Sequence, residues 1–384
     1  MPSHQDIIIG AGMAGMKTAI GLAGGVDDVV VLEARDCVVG RLVSVPSTTN
    51  RGVCYDFVAL WFHEALVNQL LAKARRLGNV DIFFDHGKHV THLCERYLED
   101  RLGLLTDDQV KYAPQVLRMW DEIWTGALWD VLSARDHKER NAFVYSGYGS
   151  LPAWFQEHNI RTNFTVSALD YMEPASVRVS KMGGDSYTAK YGAVTVPLNV
   201  LCSRKPTLEW TPPLSARLAE IFAQDHRGLL VKVVFDGSPR AWKHPTLAVN
   251  YYAMARVPSL VFLTQDPLSA HLERMCDADI WLLFEPVVRT FATGLVDAPL
   301  KILVTKWNLD PLTQDLYAVP KVGGLSTAAV CSAFSEGVSK RARFAGAQTQ
   351  PGSANWCAHC AWYSGQREAA FVLGQLAREK GVRF

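Results

Sequence analysis

The chain has 384 residues, of which 49% are hydrophobic and 20% charged, with 39 basic and 38 acidic side chains and a formal net charge of +1. This is ordinary globular composition, and it leaves no basic footprint for nucleic acid or for an anionic membrane surface. The length suggests two domains with core enough to stand without disulfides or metals.

No stretch reaches the roughly 18 uncharged apolar residues that a spanning helix needs. The start, Met1 to Asp6, lacks a basic stretch followed by an apolar one, so no secretion signal is expected. The closing Gly381-Val382-Arg383-Phe384 matches no peroxisomal or retention signal. A cytoplasmic location is the expectation, with no membrane anchor and no nucleic-acid partner. The eight cysteines are scattered, as suits reduced thiols. One close pair, Cys357 and Cys360 around His359, resembles half a zinc site or a redox pair. No second pair accompanies it, so no metal is expected and helix packing is the plainer reading.

In chain order, Asp6-Ile7-Ile8-Ile9 reads as a strand, residues 13–23 as a helix, and Val29 to Glu33 as a second strand. Residues 64–140 read mostly as helix, with Leu117, Trp120, Ile123, Trp124 and Leu128 on one face. Strands return over 143–205, and residues 228–235 form a strong apolar strand. Residues 268–293 read as helix. The chain closes with a strand over 341–345 and a helix over 357–379.

The opening βαβ unit carries chemistry. Gly10-Ala11-Gly12-Met13-Ala14-Gly15 fits G-x-G-x-x-G directly after a strand and at the head of a helix. Gly10 permits the tight turn, Gly12 lets backbone approach a pyrophosphate, and Gly15 lets helix and strand pack closely. The helix N-terminus attracts the anion. Glu33 ends the second strand, placed to accept hydrogen bonds from a ribose, and it argues against a 2′-phosphate there. FAD and NAD share this unit, so the motif alone does not choose between them.

The residues that follow choose. Leu32-Glu33-Ala34-Arg35-Asp36 with Gly40-Arg41-Leu42-Val43-Ser44 resembles the LEAxD…GGRxxS signature of the flavin amine oxidases, the family of monoamine, polyamine and L-amino acid oxidases. Ala59-Leu60-Trp61-Phe62-His63 resembles its GAxWIHG, and Gly147 to Leu151 its GGYGSL. Val194 to Leu201 is similar to VTVPLGVL, Trp307 to Tyr317 to W…DP…GSY, Phe344 to Thr349 to FAGTET, and Ala361 to Ala370 to GAxxSGxRAA. The resemblance runs in family order from residue 6 to residue 375.

It implies an α/β fold, with a Rossmann-like FAD-binding domain and a second, mixed α+β substrate domain inserted in the chain. The expected boundaries are 1–75, 145–225 and 317–384 for the FAD domain, and 76–144 and 226–316 for the substrate domain. It implies cofactor contacts at Gly10, Gly12, Met13, Ala14, Gly15, Glu33, Ala34, Arg35, Gly40, Arg41, Leu60, Trp61, Val166, Gly346 and Gln348. Tyr317, Trp356, Cys357, Trp61 and His63 would shape the substrate pocket. Lys232, set in an apolar strand, matches the family lysine bridged by water to flavin N5. The residues alone leave an exposed edge position open for it.

The implied activity is that of an FAD-dependent oxidase. A hydride leaves a C–H next to nitrogen of an amine-type substrate for flavin N5, and molecular oxygen is reduced to hydrogen peroxide. An oxidative cyclase or desaturase, and a non-oxidising binding protein or isomerase, are the alternatives. A homodimer is left open.

The departures from the family pattern are specific. Val39 and Val58 replace glycines and are expected to displace or crowd backbone beside the flavin. Gln348 replaces a glutamate. Leu316 stands where monoamine oxidases carry the cysteine bonded to their flavin, so non-covalent FAD is expected. Cys357 falls where the second aromatic wall of the family's amine cage would stand.

Overall fold

A computed structural model of the protein describes residues 2–63, 65, 67–78, 80–84, 142–149, 151, 159–202, 208–223, 227–237, 248–291, 296–314, 316–318, 324–350 and 357–381. It forms two compact units, Met1–Val43 with Leu151–His226 and Gly323–Phe384, and Ser44–Ser150 with Arg227–Val322. Residues 44–75, 145–150 and 317–322, expected with the FAD domain, group with the second unit by contact, and residue 226 groups with the first.

The first unit is built on an eight-stranded mixed sheet. Its parallel centre joins strand 186–194, β1 (Ser3–Ile9) and β2 (Val29–Leu32), with Ile7 opposite both Gly192 and Val30. Ile7, Ile8 and Ile9 are all buried, as a central parallel strand covered on both faces requires. Strand 159–161 extends the sheet parallel to β2, and strand 342–344 joins parallel to strand 186–194. Strands 177–181 and 166–170 continue it antiparallel. Between β1 and β2 runs α1 (Met13–Leu22). It packs against the closing helix Ala358–Glu379, and Gly365 makes the close approach: a Cβ there would lie 2.3 Å from the Ala14 carbonyl oxygen.

The second unit has a four-stranded antiparallel sheet in the order Ala248–Asn250, Ser259–Gln265, Leu230–Asp236, Lys301–Val304. Leu230–Asp236 is therefore an inner strand, buried along its whole length. Its Val231, Val233 and Phe235 pack with Ile280, Phe284 and Val288 of the helix Asp277–Phe291. Val234, on the opposite face, packs with Val53, Tyr55, Leu60, Phe143 and Tyr251. A hairpin of β3 (Ser44–Pro46) and β4 (Cys54–Asp56) brings Tyr55 into that cluster. The segment expected to be helical shows a helix at Gln69–Leu77 and a strand at Ile82–Phe84. The stripe from Leu117 to Leu128, with Trp120 and Trp124, lies outside the described residues. No helix among the described residues is long and apolar enough to cross a membrane.

Candidate functional site

In the first unit, β1 passes into α1 through a turn in which Gly10 adopts φ 106°. Gly12 is the N-cap of α1, with no side-chain capping bond and no acid in the first turn. The N–H groups of Met13 and Ala14 therefore have no acceptor within the helix. A Cβ added at Gly12 would meet no atom within 4 Å, whereas one at Gly15 would lie 1.9 Å from the Gly10 carbonyl oxygen. Gly15 is thus needed for packing, and Gly12 faces open space suited to an anion at a helix N-terminus.

Glu33 follows β2 and is only 6% exposed. Its Oε2 accepts the Ala11 N–H at 2.7 Å and its Oε1 the Arg35 N–H at 2.9 Å. An ionised carboxylate offers about four acceptor positions, so two remain for hydroxyls. The cradle fits the ribose and pyrophosphate of FAD. Ala34 and Arg35 are half-buried in the next turn, as is Arg41 after Gly40.

Val39 lies in this loop, beside the glycine-rich turn. It takes up a glycine-like conformation at φ 76°, and its N–H donates to the Ala11 carbonyl at 2.7 Å. The consequence is local backbone strain, because a β-branched residue is disfavoured there.

Val166 is half-buried at the head of strand 166–170. Gly346 donates its N–H to Ser364 Oγ at 2.8 Å, and the buried Gln348 amide donates to the Val196 carbonyl at 3.4 Å. Sequence reading missed the anchor beneath them. Arg367 donates to the Phe344 and Thr349 carbonyls and to Glu368, and Glu368 also accepts Arg343. The signal was an adjacent Arg-Glu pair just before the apolar run Ala369 to Leu373 of the closing helix. Cys357 is the half-buried N-cap of that helix and Cys360 is buried. Trp356 lies outside the described residues.

In the second unit the edge position for Lys232 is ruled out: it lies on an inner strand and is 2% exposed. Its amine donates to the Asp56 carbonyl at 3.0 Å and to the Val58 carbonyl. Its backbone is locked by Thr305, whose hydroxyl accepts the Lys232 N–H at 2.9 Å. An ammonium has three donors, so the third has no acceptor among the described residues. Burial pushes the amine's pKa well down, and the nearby Asp56 carboxylate opposes the shift. Asp56 is itself pushed up by burial, against hydrogen bonds from the Ser44 hydroxyl and the Tyr148 N–H and the charge of Lys232.

Val58 packs, with Phe57 and Tyr317, against a cluster of Leu230, Trp307 and Leu316. Between the two carbonyls held by Lys232, the Phe57 carbonyl accepts Trp307 Nε1 at 3.3 Å. Tyr317 thus packs against the same cluster as Phe57 and Val58, the segment that Lys232 holds. Trp61 and Leu60 lie with a neighbouring cluster, where Trp61 packs edge-on to Phe143 at 5.4 Å. The His63 carbonyl accepts the Asn68 side chain at 2.7 Å. Sequence reading missed Asp56, Tyr55 and Asp236. The available signal was two acids, one inside a family-like segment and one closing an apolar strand.

The model of the family described as flavin containing amine oxidoreductase matches residues 13–97 and 121–373. A corticosteroid-binding protein of Candida albicans is 25% identical over 98% of this chain and 97% of its own. Polyamine oxidase 4 of Oryza sativa subsp. japonica is 23% identical over 98% of this chain and 90% of its own. Among solved structures, a double mutant of putrescine oxidase redesigned in cofactor binding superposes with a TM-score of 0.72 at 15% identity, covering 97% of this chain and 99% of that one.

Proposed function

Because the chain belongs to the flavin-containing amine oxidoreductase family, and so is an FAD-dependent oxidoreductase acting on CH–NH bonds, we propose that it is an amine oxidase with molecular oxygen as acceptor and hydrogen peroxide as product. The observation that carries the reading is Lys232. A fully buried amine is costly unless all its donors are satisfied, and this one keeps one donor beyond its two carbonyl partners.

Bound FAD supplies the two-electron acceptor for a hydride leaving the C–H next to the substrate nitrogen. The chain's own residues bind, orient and hold protons. The N-terminus of α1 and Glu33 hold the dinucleotide. Tyr317 offers a flat wall to an amine substrate. Lys232 presents its third donor to a water, and its lowered pKa lets it give up that proton near neutrality. Substrate pre-orientation against such fixed groups supplies the acceleration.

The test is anaerobic mixing with a panel of monoamines, diamines and polyamines. Bleaching of the flavin by at least one amine, followed by stoichiometric peroxide on admitting air, is the expected result. A flavin that no amine bleaches would overturn the reading.

A second reading draws on the name of the Candida relative, a corticosteroid-binding protein matching over nearly the whole of both chains. On it, the fold holds an apolar ligand without turnover. Saturable binding of a corticosteroid together with a flavin inert to amines would favour it.

A further inference from the structure

The inner strand Leu230–Asp236 turns two ionisable side chains toward β4, Lys232 and Asp236, and both are buried. Four residues apart on one face, they stand about 13 Å apart along the strand and do not pair with each other. Each holds the same short stretch of chain instead. Lys232 takes the carbonyls of Asp56 and Val58. Asp236 takes what precedes them: Tyr55 OH donates to Oδ1 at 2.6 Å, Ser47 Oγ at 3.0 Å, and the Thr48 N–H to Oδ2 at 2.7 Å. Ser259, across on the adjacent strand, donates to the same carboxylate at 3.1 Å.

Asp236 is wholly buried, yet it makes no ion pair among the described residues. Burial alone would raise its pKa. The bonds from Tyr55, Thr48 and Ser47 outweigh that and hold it below the usual carboxylate range. An ionised acid in such a place binds neutral donors firmly, because charge-assisted bonds are about twice as strong as neutral ones. Tyr55 is fixed further by packing edge-on to Tyr251 at 5.0 Å. The residue after Tyr55 is Asp56, so whatever fixes Tyr55 fixes the first carbonyl that Lys232 holds.

We infer that Asp236 is a positioning residue for Lys232: by holding Tyr55 and the Ser47–Thr48 turn it fixes the Asp56 and Val58 carbonyls, and with them the direction of the third donor of the amine. The inference rests on the reading of Lys232 as the residue that serves the chemistry. Asp56 is the charged group acting on the amine, and its carboxyl is held by Ser44 and Tyr148, away from Asp236. Loosening of the Tyr55 end should therefore reach Lys232 through backbone, with Asp56 still in place.

The test uses the holoenzyme labelled with nitrogen-15 at lysine side chains, as wild type, Asp236→Asn, Tyr55→Phe, Lys232→Met and the Lys232→Met/Asp236→Asn double variant. The Lys232 signal is the one that vanishes in Lys232→Met. In Asp236→Asn and Tyr55→Phe its titration midpoint should move down by about half a pH unit or more, as the carbonyls that stabilise the ammonium are released. Flavin reduction by the best amine should slow by about tenfold with flavin content kept, in line with the cost of small misplacement at a reacting centre. In the Lys232→Met background, Asp236→Asn should cost less than about twofold more, because coupled positions are not additive. An unmoved midpoint in both single variants, or the same tenfold loss without Lys232, would overturn the inference. If Lys232→Met reacts as fast as wild type, the catalytic reading of Lys232 fails, and the midpoint still decides the positioning. Should Asp236→Asn not fold, Tyr55→Phe and Ser259→Ala, each removing one donor to the carboxylate, carry the same readouts.

Discussion

The backbone N–H of Val39 donates to the carbonyl oxygen of Ala11 at 2.7 Å while Val39 sits at φ 76°. One hydrogen bond thus ties the loop before Arg41 to the glycine-rich turn, and it does so through a residue type that resists this conformation. Val39→Gly should relieve about 1–2 kcal/mol of strain and lose part of that to chain entropy, for a net gain of about 1 kcal/mol. Thermal unfolding of the holoprotein measures it. A lower melting temperature for the glycine variant would mean that the valine side chain contributes packing that outweighs the strain.

Glu33 closes the nucleotide cradle through Ala11 and Arg35. Glu33→Lys removes the carboxylate acceptors of two backbone N–H groups and puts a cation beside the amides that need an anion. The purified variant should be colourless, read as the flavin-to-protein absorbance ratio. A fully yellow variant would remove Glu33 from the cofactor site.

Leu316 is buried in the cluster with Leu230 and Trp307 and has no nucleophilic atom. Acid precipitation should release all flavin to the supernatant. Colour kept in the pellet would point to attachment at another side chain.

Lys232→Met should slow flavin reduction, reoxidation or both by about a hundredfold, the usual cost of losing a positioned polar group at a reacting centre. Sequence alone suggests that stability holds or rises, since a desolvated ammonium is removed. The structure adds an opposing cost: the Asp56 and Val58 carbonyls lose their donor, and unpaired buried groups cost about 1–3 kcal/mol. A small net change in melting temperature is expected. Half-reaction rates within about twofold of wild type by stopped flow would sink the catalytic assignment, since that falls far short of the expected loss.

The same pair predicts a pH dependence. Burial lowers the Lys232 pKa from its ordinary value of 10.5. The unfolded chain then holds that proton more tightly, so the lysine's contribution to stability rises as pH climbs from its folded pKa toward the unfolded one. Burial raises Asp56 from 3.8, so its contribution has the opposite slope and is lost as pH climbs from that value through its folded pKa. The stability of wild type relative to Lys232→Met should therefore increase on the alkaline side of neutrality. Melting temperatures of both proteins across that range check it. A flat difference would mean that the lysine titrates alike in both states.

Much of the nucleotide cradle was legible in the chain. Gly10, Gly12, Gly15 and Glu33 lie within one βαβ unit, where spacing along the sequence translates directly into spacing in space, and the short-range rules of turns and helix N-termini decide the rest. The strand around Lys232 was legible too, because its apolar run is continuous. That it is an inner strand was not, since edge and centre differ only in which neighbours pair with it. The sequence likewise could not join Asp236 to Tyr55 across 181 residues, nor Trp307 to Phe57 across 250. Those contacts depend on which face of a strand meets which hairpin. That is settled by the packing of side chains distant in sequence, and it alone determined that the two buried charges of the strand would hold one segment between them instead of each other.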